Sequence, residues 1–126
     1  MSYRISIKDD ILHLQFIGHV NGLHVVKVIG DEQFFPNLHK VNFALFDFSA
    51  AQEVELSLEE VKSFGTIGKI EANFIDNLHV VIILRNENGR ARAEHFINSV
   101  GCQNWKFDIS LDLPSAFRCI NKPNPS

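Results

Sequence analysis

Six histidines, two cysteines and a few serines and aspartates beside apolar runs are the residues of this chain that could do chemistry. The histidines stand at 13, 19, 24, 39, 79 and 95, with no HxH or HxxxH pair, and Cys102 and Cys119 form no CxxC. Zinc sites are usually built from such short-range ligand pairs, so no metal is expected. GxGxxG and Walker loops are also missing, and no cofactor is expected. Ser49, His79 and Asp47 invite comparison with a hydrolytic triad. However, His79 opens a strand and Asp47 closes one, so in parallel strands several residues of about 3.3 Å each keep them apart, whereas a triad needs hydrogen-bond reach of roughly 3 Å. No Gly-x-Ser-x-Gly elbow supports acyl transfer either. His19 beside Asp47 is left as a general-base pair. Asn88-Gly89-Arg90 opening a helix, with Arg92 following, could hold an anion on helical N–H groups. Its plainer reading is a solvated basic face.

These residues depend on the elements that carry them. Tyr3, Ile5 and Ile7 alternate with polar residues, Asp9-Asp10 turns the chain, and Ile11 to Ile17 returns as a second strand, which makes a hairpin. On that second strand Leu12, Leu14 and Phe16 share one face, while His13 and Gln15 fall on the other. Asn21-Gly22 opens a helix with an apolar stripe from Leu23 to Ile29 that ends before Pro36. Val41 to Phe48 reads as a strand apolar on both faces except at Asp47. A loop from Ser49 to Leu56 leads to Ser57-Leu58-Glu59-Glu60, a capping box. Gly65 and Gly68 follow in that helix, each costing about 1 kcal/mol against Ala, and close backbone packing accounts for them. Leu78 to Leu84 is a buried strand. Ala93, Phe96, Ile97 and Val100 mark a helix closed by Gly101, Trp105 to Ile109 gives the last strand, and Asp112 caps a final helix.

The order β-β-α-β-α-β-α-β-α calls for an open α/β sheet of mostly parallel strands joined by right-handed crossovers. Strands in sequence order would place the crossover helices on one face. The other face then needs cover, and Ala44, Phe46 and Phe48 are expected there, closed by the last helix, by a homodimer contact or by both. Open α/β sheets bind ligands beyond the carboxyl ends of their strands. That rule gathers His19, Asp47, Ser49 and Arg85 into a candidate ligand-binding rim. Against it stands ordinary turn chemistry, in which Asp47 and Ser49 accept backbone hydrogen bonds and Arg85 pairs with a carboxylate.

Length and composition narrow the function classes. One domain is the expectation for 126 residues of which 45% are hydrophobic. Twelve Lys plus Arg against 15 Asp plus Glu give a net charge of −3 and no basic cluster, which argues against a nucleic-acid partner. The longest aliphatic run, Val80 to Leu84, is far below a membrane span. MSYRISIKDD lacks the apolar segment of a secretory signal, and two cysteines are too few for a disulfide scaffold, so a cytoplasmic location is expected. Eleven Phe against one Tyr and one Trp is an unusual aromatic mix, suited to a core or to the lining of an apolar cavity.

In that element order, VNFALFDFS, LHVVIIL, NGRARAEHF and WKFDISLDLPSAF resemble the SpoIIAA-like family, bacterial relatives of STAS and Sec14-type domains. The resemblance covers roughly Tyr3 to Ile120 and carries no diagnostic motif. It implies a single α/β domain built as a β-α superhelix; with the elements read above, the expectation over 1–126 is an N-terminal hairpin, then a mostly parallel five-stranded sheet with about four helices, the tail 121–126 frayed. STAS antagonists place a phosphorylatable serine after the third strand, followed by a small residue and a glycine at a helix N-terminus. Ser49 occupies that loop here, but Ala50, Ala51 and Gln52 follow it, and the capped helix waits until Ser57. The leading functional reading is a non-catalytic binding or regulatory module of STAS-like type, with a protein partner. The Sec14 side implies a carrier of a small apolar or amphipathic ligand, its polar end held by Arg85 or His19. A small enzyme using His19 and Asp47 is the third reading.

Overall fold

The computed structural model describes residues 2–122. Five strands lie in sequence order in one sheet: β1 (Tyr3–Lys8), β2 (Ile11–Asn21), β3 (Phe43–Glu55), β4 (His79–Ile83) and β5 (Lys106–Ser110). β1 and β2 are antiparallel, and every later neighbour is parallel. The helices are α1 (Gly22–Ile29), the single turn α2 (Phe35–Leu38), α3 (Leu58–Glu71), α4 (Arg90–Val100) and α5 (Leu113–Cys119). The fold is α/β, as the alternating element order requires.

Local signals explain most boundaries. Asp9 takes a left-handed φ of 54° in the hairpin turn, and both carboxylate oxygens of Asp10 accept from Asn42 at 3.0 and 2.7 Å, tying the hairpin to the start of β3. Asn21 and His24 cap α1 reciprocally, and Ser57 and Glu60 do the same for α3, so each helix start has two of its orphan N–H groups satisfied. Asp112 accepts from Ser115 at the start of α5. Gly101 closes α4 with a φ of 54°. Helix α1 stops at Gly30, and Pro36 then sits in the first turn of α2, where its missing N–H costs nothing.

Because the parallel strands follow one another in order, α1 to α4 all cover one face. That face holds the main core, with Leu12, Leu14, Ala44, Val80 and Ile82 beneath Val28, Leu38, Ala93 and Val100. Gly65 is where α3 and α4 meet: a Cβ there would collide with the Ser99 side chain and stand 3.1 Å from the Phe96 carbonyl oxygen. On the opposite face Ala116 and Phe117 of α5, with Ile120 just past its end, bury Leu45, Val81 and Ile83.

Two expectations are corrected. Ala44, Phe46 and Phe48 do not lie under the last helix but face α1 to α4. The face that α5 closes carries Leu45 instead, because residues of odd number on β3 point that way up to Asp47. The segment 49–56 is not a loop, since β3 runs on to Glu55 beside the long β2. Within the expected tail 121–126, Lys122 donates its backbone N–H to the Phe117 carbonyl at 3.0 Å and sets its ammonium 5.3 Å from the centre of the Phe43 ring. Residues 123–126 lie outside the described residues.

Candidate functional site

Between the main helical layer and the carboxyl halves of β2, β3 and β4 lies a cavity of about 300 Å³. Phe16, Phe34, Phe35, Phe46, Phe48, Phe64 and Phe96 line it, seven of the eleven phenylalanines. Phe16 and Phe48 stack across β2 and β3 with ring centres 4.7 Å apart, and Phe34 leans on Phe46 at 6.0 Å. Val25 and Ile29 of α1, Val61 and Ile67 of α3 and Ala93 of α4 contribute the helical walls. Trp105, the one tryptophan, also lines the space, its indole N–H donated to the Ile75 carbonyl at 2.7 Å.

Along the cavity β3 breaks the two-residue alternation of a strand. Gln15 pairs with Asp47, Ile17 with Ala50 and His19 with Glu53, so β3 gains one residue on β2 at each of two irregularities. An extra residue bends the strand and turns the following side chains to the other face. Phe48, Ala51 and Val54 therefore all line the cavity, three residues apart instead of two. The opposite surface of this ribbon takes His19, Glu53 and Glu55.

Asp47 secures the first irregularity. It is 1% exposed, accepting from the Ser49 backbone N–H at 2.8 Å and, with its other oxygen, contacting His13 Nε2 at 2.8 Å. Burial by itself would raise this carboxyl, but the hydrogen bonds from His13 and Ser49 outweigh it and hold Asp47 below the usual carboxylate range. An ionised Asp47 makes His13 the donor. The Ser49 carbonyl in turn accepts a long 3.4 Å hydrogen bond from Arg85, which lines the cavity. The chain His13, Asp47, Ser49, Arg85 thus links the α5 side of the sheet to the cavity mouth.

Of the four rim residues read from the sequence, Asp47, Ser49 and Arg85 come together and His19 does not. His19 pairs in register with Glu53, six residues beyond Asp47 on β3, and contacts Glu55 at 3.0 Å. The strand length lost between them removes the proposed His19–Asp47 acid-base pair; Asp47 is partnered by His13 instead. That partner was visible as the polar member of a mixed face on β2, but only the parallel register with β3 connects the two. Among the described residues Arg85 meets no carboxylate, contrary to its turn-chemistry reading, whereas Asp47 does accept the backbone N–H of Ser49. His79 contacts Asp108 at 2.6 Å, and neither lines the cavity. Ligand atoms of His19, Glu53 and Glu55 lie within 4.8 Å of one another, all on exposed side chains, with His19 Nε2 3.0 Å from the Glu55 carboxylate.

The lining has a definite chemical character. Its polar side chains are Gln52, Arg85, Asn86, Asn88 and Arg92, all at the carboxyl edge. No Asp, Glu, His, Lys, Cys, Ser, Thr or Tyr contributes to it among the described residues, so it offers no nucleophile and no group that exchanges a proton near neutral pH. Such a site can bind and orient. Comparison with known proteins returns no matching protein-family model, no matching curated protein and no matching solved structure.

Proposed function

We propose that this chain is a non-catalytic binding protein for a small apolar or amphipathic ligand, held in the phenylalanine-lined cavity. The carrying observation is a concave, apolar space at the carboxyl edge of a parallel sheet whose lining has polar groups to orient a ligand and none to transform it. Its volume of about 300 Å³ sits at the small end of ligand pockets, which run from roughly 300 to 1,000 Å³. A space lined by Leu, Ile and Phe repels water and accepts apolar guests. We carry the SpoIIAA-like assignment forward on the same footing, since its Sec14 side implies an apolar ligand.

Trp105 makes the reading testable. In a series of neutral n-alcohols, each added methylene that enters the cavity contributes about 0.8 kcal/mol, roughly fourfold in affinity, until the space is full. A saturable change in Trp105 fluorescence that tightens along the series and then levels supports the proposal. No saturable change from any alcohol refutes it.

A further inference from the structure

We infer that the ligand of this cavity carries an anionic head group, a carboxylate or a phosphate, clamped at the mouth by Arg85 and Arg92. This rests on the cavity being the ligand site and adds the chemistry of what enters it. Three arginines occupy the segment from 85 to 92, and the structure treats them differently. Arg90 is neutralised by Glu87 through two hydrogen bonds of 2.6 and 3.0 Å and does not line the cavity. Arg85 and Arg92 both line it, and among the described residues neither has a carboxylate within ion-pair distance.

Of the two, Arg85 has a partner on the sheet. Arg85 donates to the Ser49 carbonyl at 3.4 Å, so the Asp47-supported irregularity of β3 steers it. Arg92 Nη1 lies 3.7 Å from where a Cβ on residue 89 would stand, an ordinary van der Waals distance that puts its guanidinium beside the Asn88-Gly89 stretch of the lining. The first turn of α4 holds no acid to compete for either charge. Two unpaired cations beside an apolar lining, in a chain of net charge −3, suit an amphiphile with its chain inward and its anion at the edge. Guanidinium forks match carboxylate and phosphate geometry equally well.

The test compares ligands sharing one ten-carbon chain, followed by Trp105 fluorescence at low salt and mildly alkaline pH. Decanoate and decyl phosphate should each bind at least about tenfold tighter than 1-decanol, as charge-assisted hydrogen bonds do, and decyltrimethylammonium should bind weakest. High salt should erode the preference. The double variant Arg85→Met/Arg92→Met should bind all anions and 1-decanol alike while keeping its affinity for 1-decanol, which also reports that it folds; Arg90→Gln should keep the full preference. Equal binding of decanoate and 1-decanol to the unaltered protein overturns the clamp and leaves the cavity reading standing. A preference that survives in the double variant overturns the assignment to these arginines. Inorganic phosphate binding as tightly as decyl phosphate would make this a free-anion site and overturn the amphiphile. Failure of every ten-carbon ligand to bind overturns the clamp together with the cavity.

Discussion

Replacing Ala93 by leucine tests whether the cavity is real space by the sign of a stability change. Ala93 is a buried residue of α4 whose side chain lines the cavity, and leucine is nearly as good a helix former as alanine. The substitution adds three carbons. If they enter empty apolar space, stability rises by about 1 to 2 kcal/mol, the usual return from cavity filling, or roughly 4 to 8 °C in Tm for a chain of this size. If the region is ordinary close-packed core, the same three carbons force neighbours off their rotamers, and stability falls by about 1 to 3 kcal/mol. The two outcomes differ in sign, so modest errors in magnitude do not blur them. Ligand binding should move the opposite way. Three methylenes' worth of space at about 0.8 kcal/mol each, near 2.4 kcal/mol in all, weakens a ten-carbon ligand about fiftyfold. Thermal unfolding by circular dichroism gives the first quantity and a Trp105 titration with decanoate the second. A fall in Tm of several degrees refutes the cavity, and a raised Tm with unchanged decanoate affinity refutes its role as the ligand site.

Two further expectations concern the frame around the site. Gly65→Ala drives a Cβ into Ser99 and should cost a net of up to about 2 kcal/mol in urea unfolding, since overpacking outweighs the roughly 1 kcal/mol gained in helix propensity; Ser99→Gly in the same chain should restore part of the loss, and no rescue would place the strain elsewhere. Asp47 supplies a pH dependence: its folded carboxyl lies below the ordinary range, so its stabilisation is complete above the unfolded value of about 3.9 and drains away as pH falls through the folded one. Asp47→Asn should lower stability near neutral pH by about 2 kcal/mol and flatten the decline between about pH 5 and pH 2, and an unchanged slope in urea unfolding across that window would contradict the hydrogen-bonded, ionised carboxylate.

What the sequence by itself determined is local. The Ser57 and Glu60 capping box, the Asp112 cap, the Gly101 stop and the apolar runs at Leu12 to Phe16 and Val80 to Leu84 each act within a few residues, and together they dictate the element order and hence an in-order, mostly parallel sheet. Arg85 at a strand's carboxyl end was legible for the same reason. What the tertiary structure alone decided is which residues share a surface. Side-chain alternation along β3 holds only to Asp47; beyond it, pairing with β2 adds two residues, and Ala51 and Val54 join Phe48 on the cavity while His19 goes with Glu53 and Glu55. No local preference in Ser-Ala-Ala-Gln-Glu-Val-Glu announces a strand, because its hydrogen-bond partner is a segment more than thirty residues earlier in the chain. The partnership of His13 with Asp47 and the lack of a carboxylate partner for Arg85 and Arg92 among the described residues have the same origin: they follow from register and packing between distant segments, and a one-residue slip in either would rearrange them.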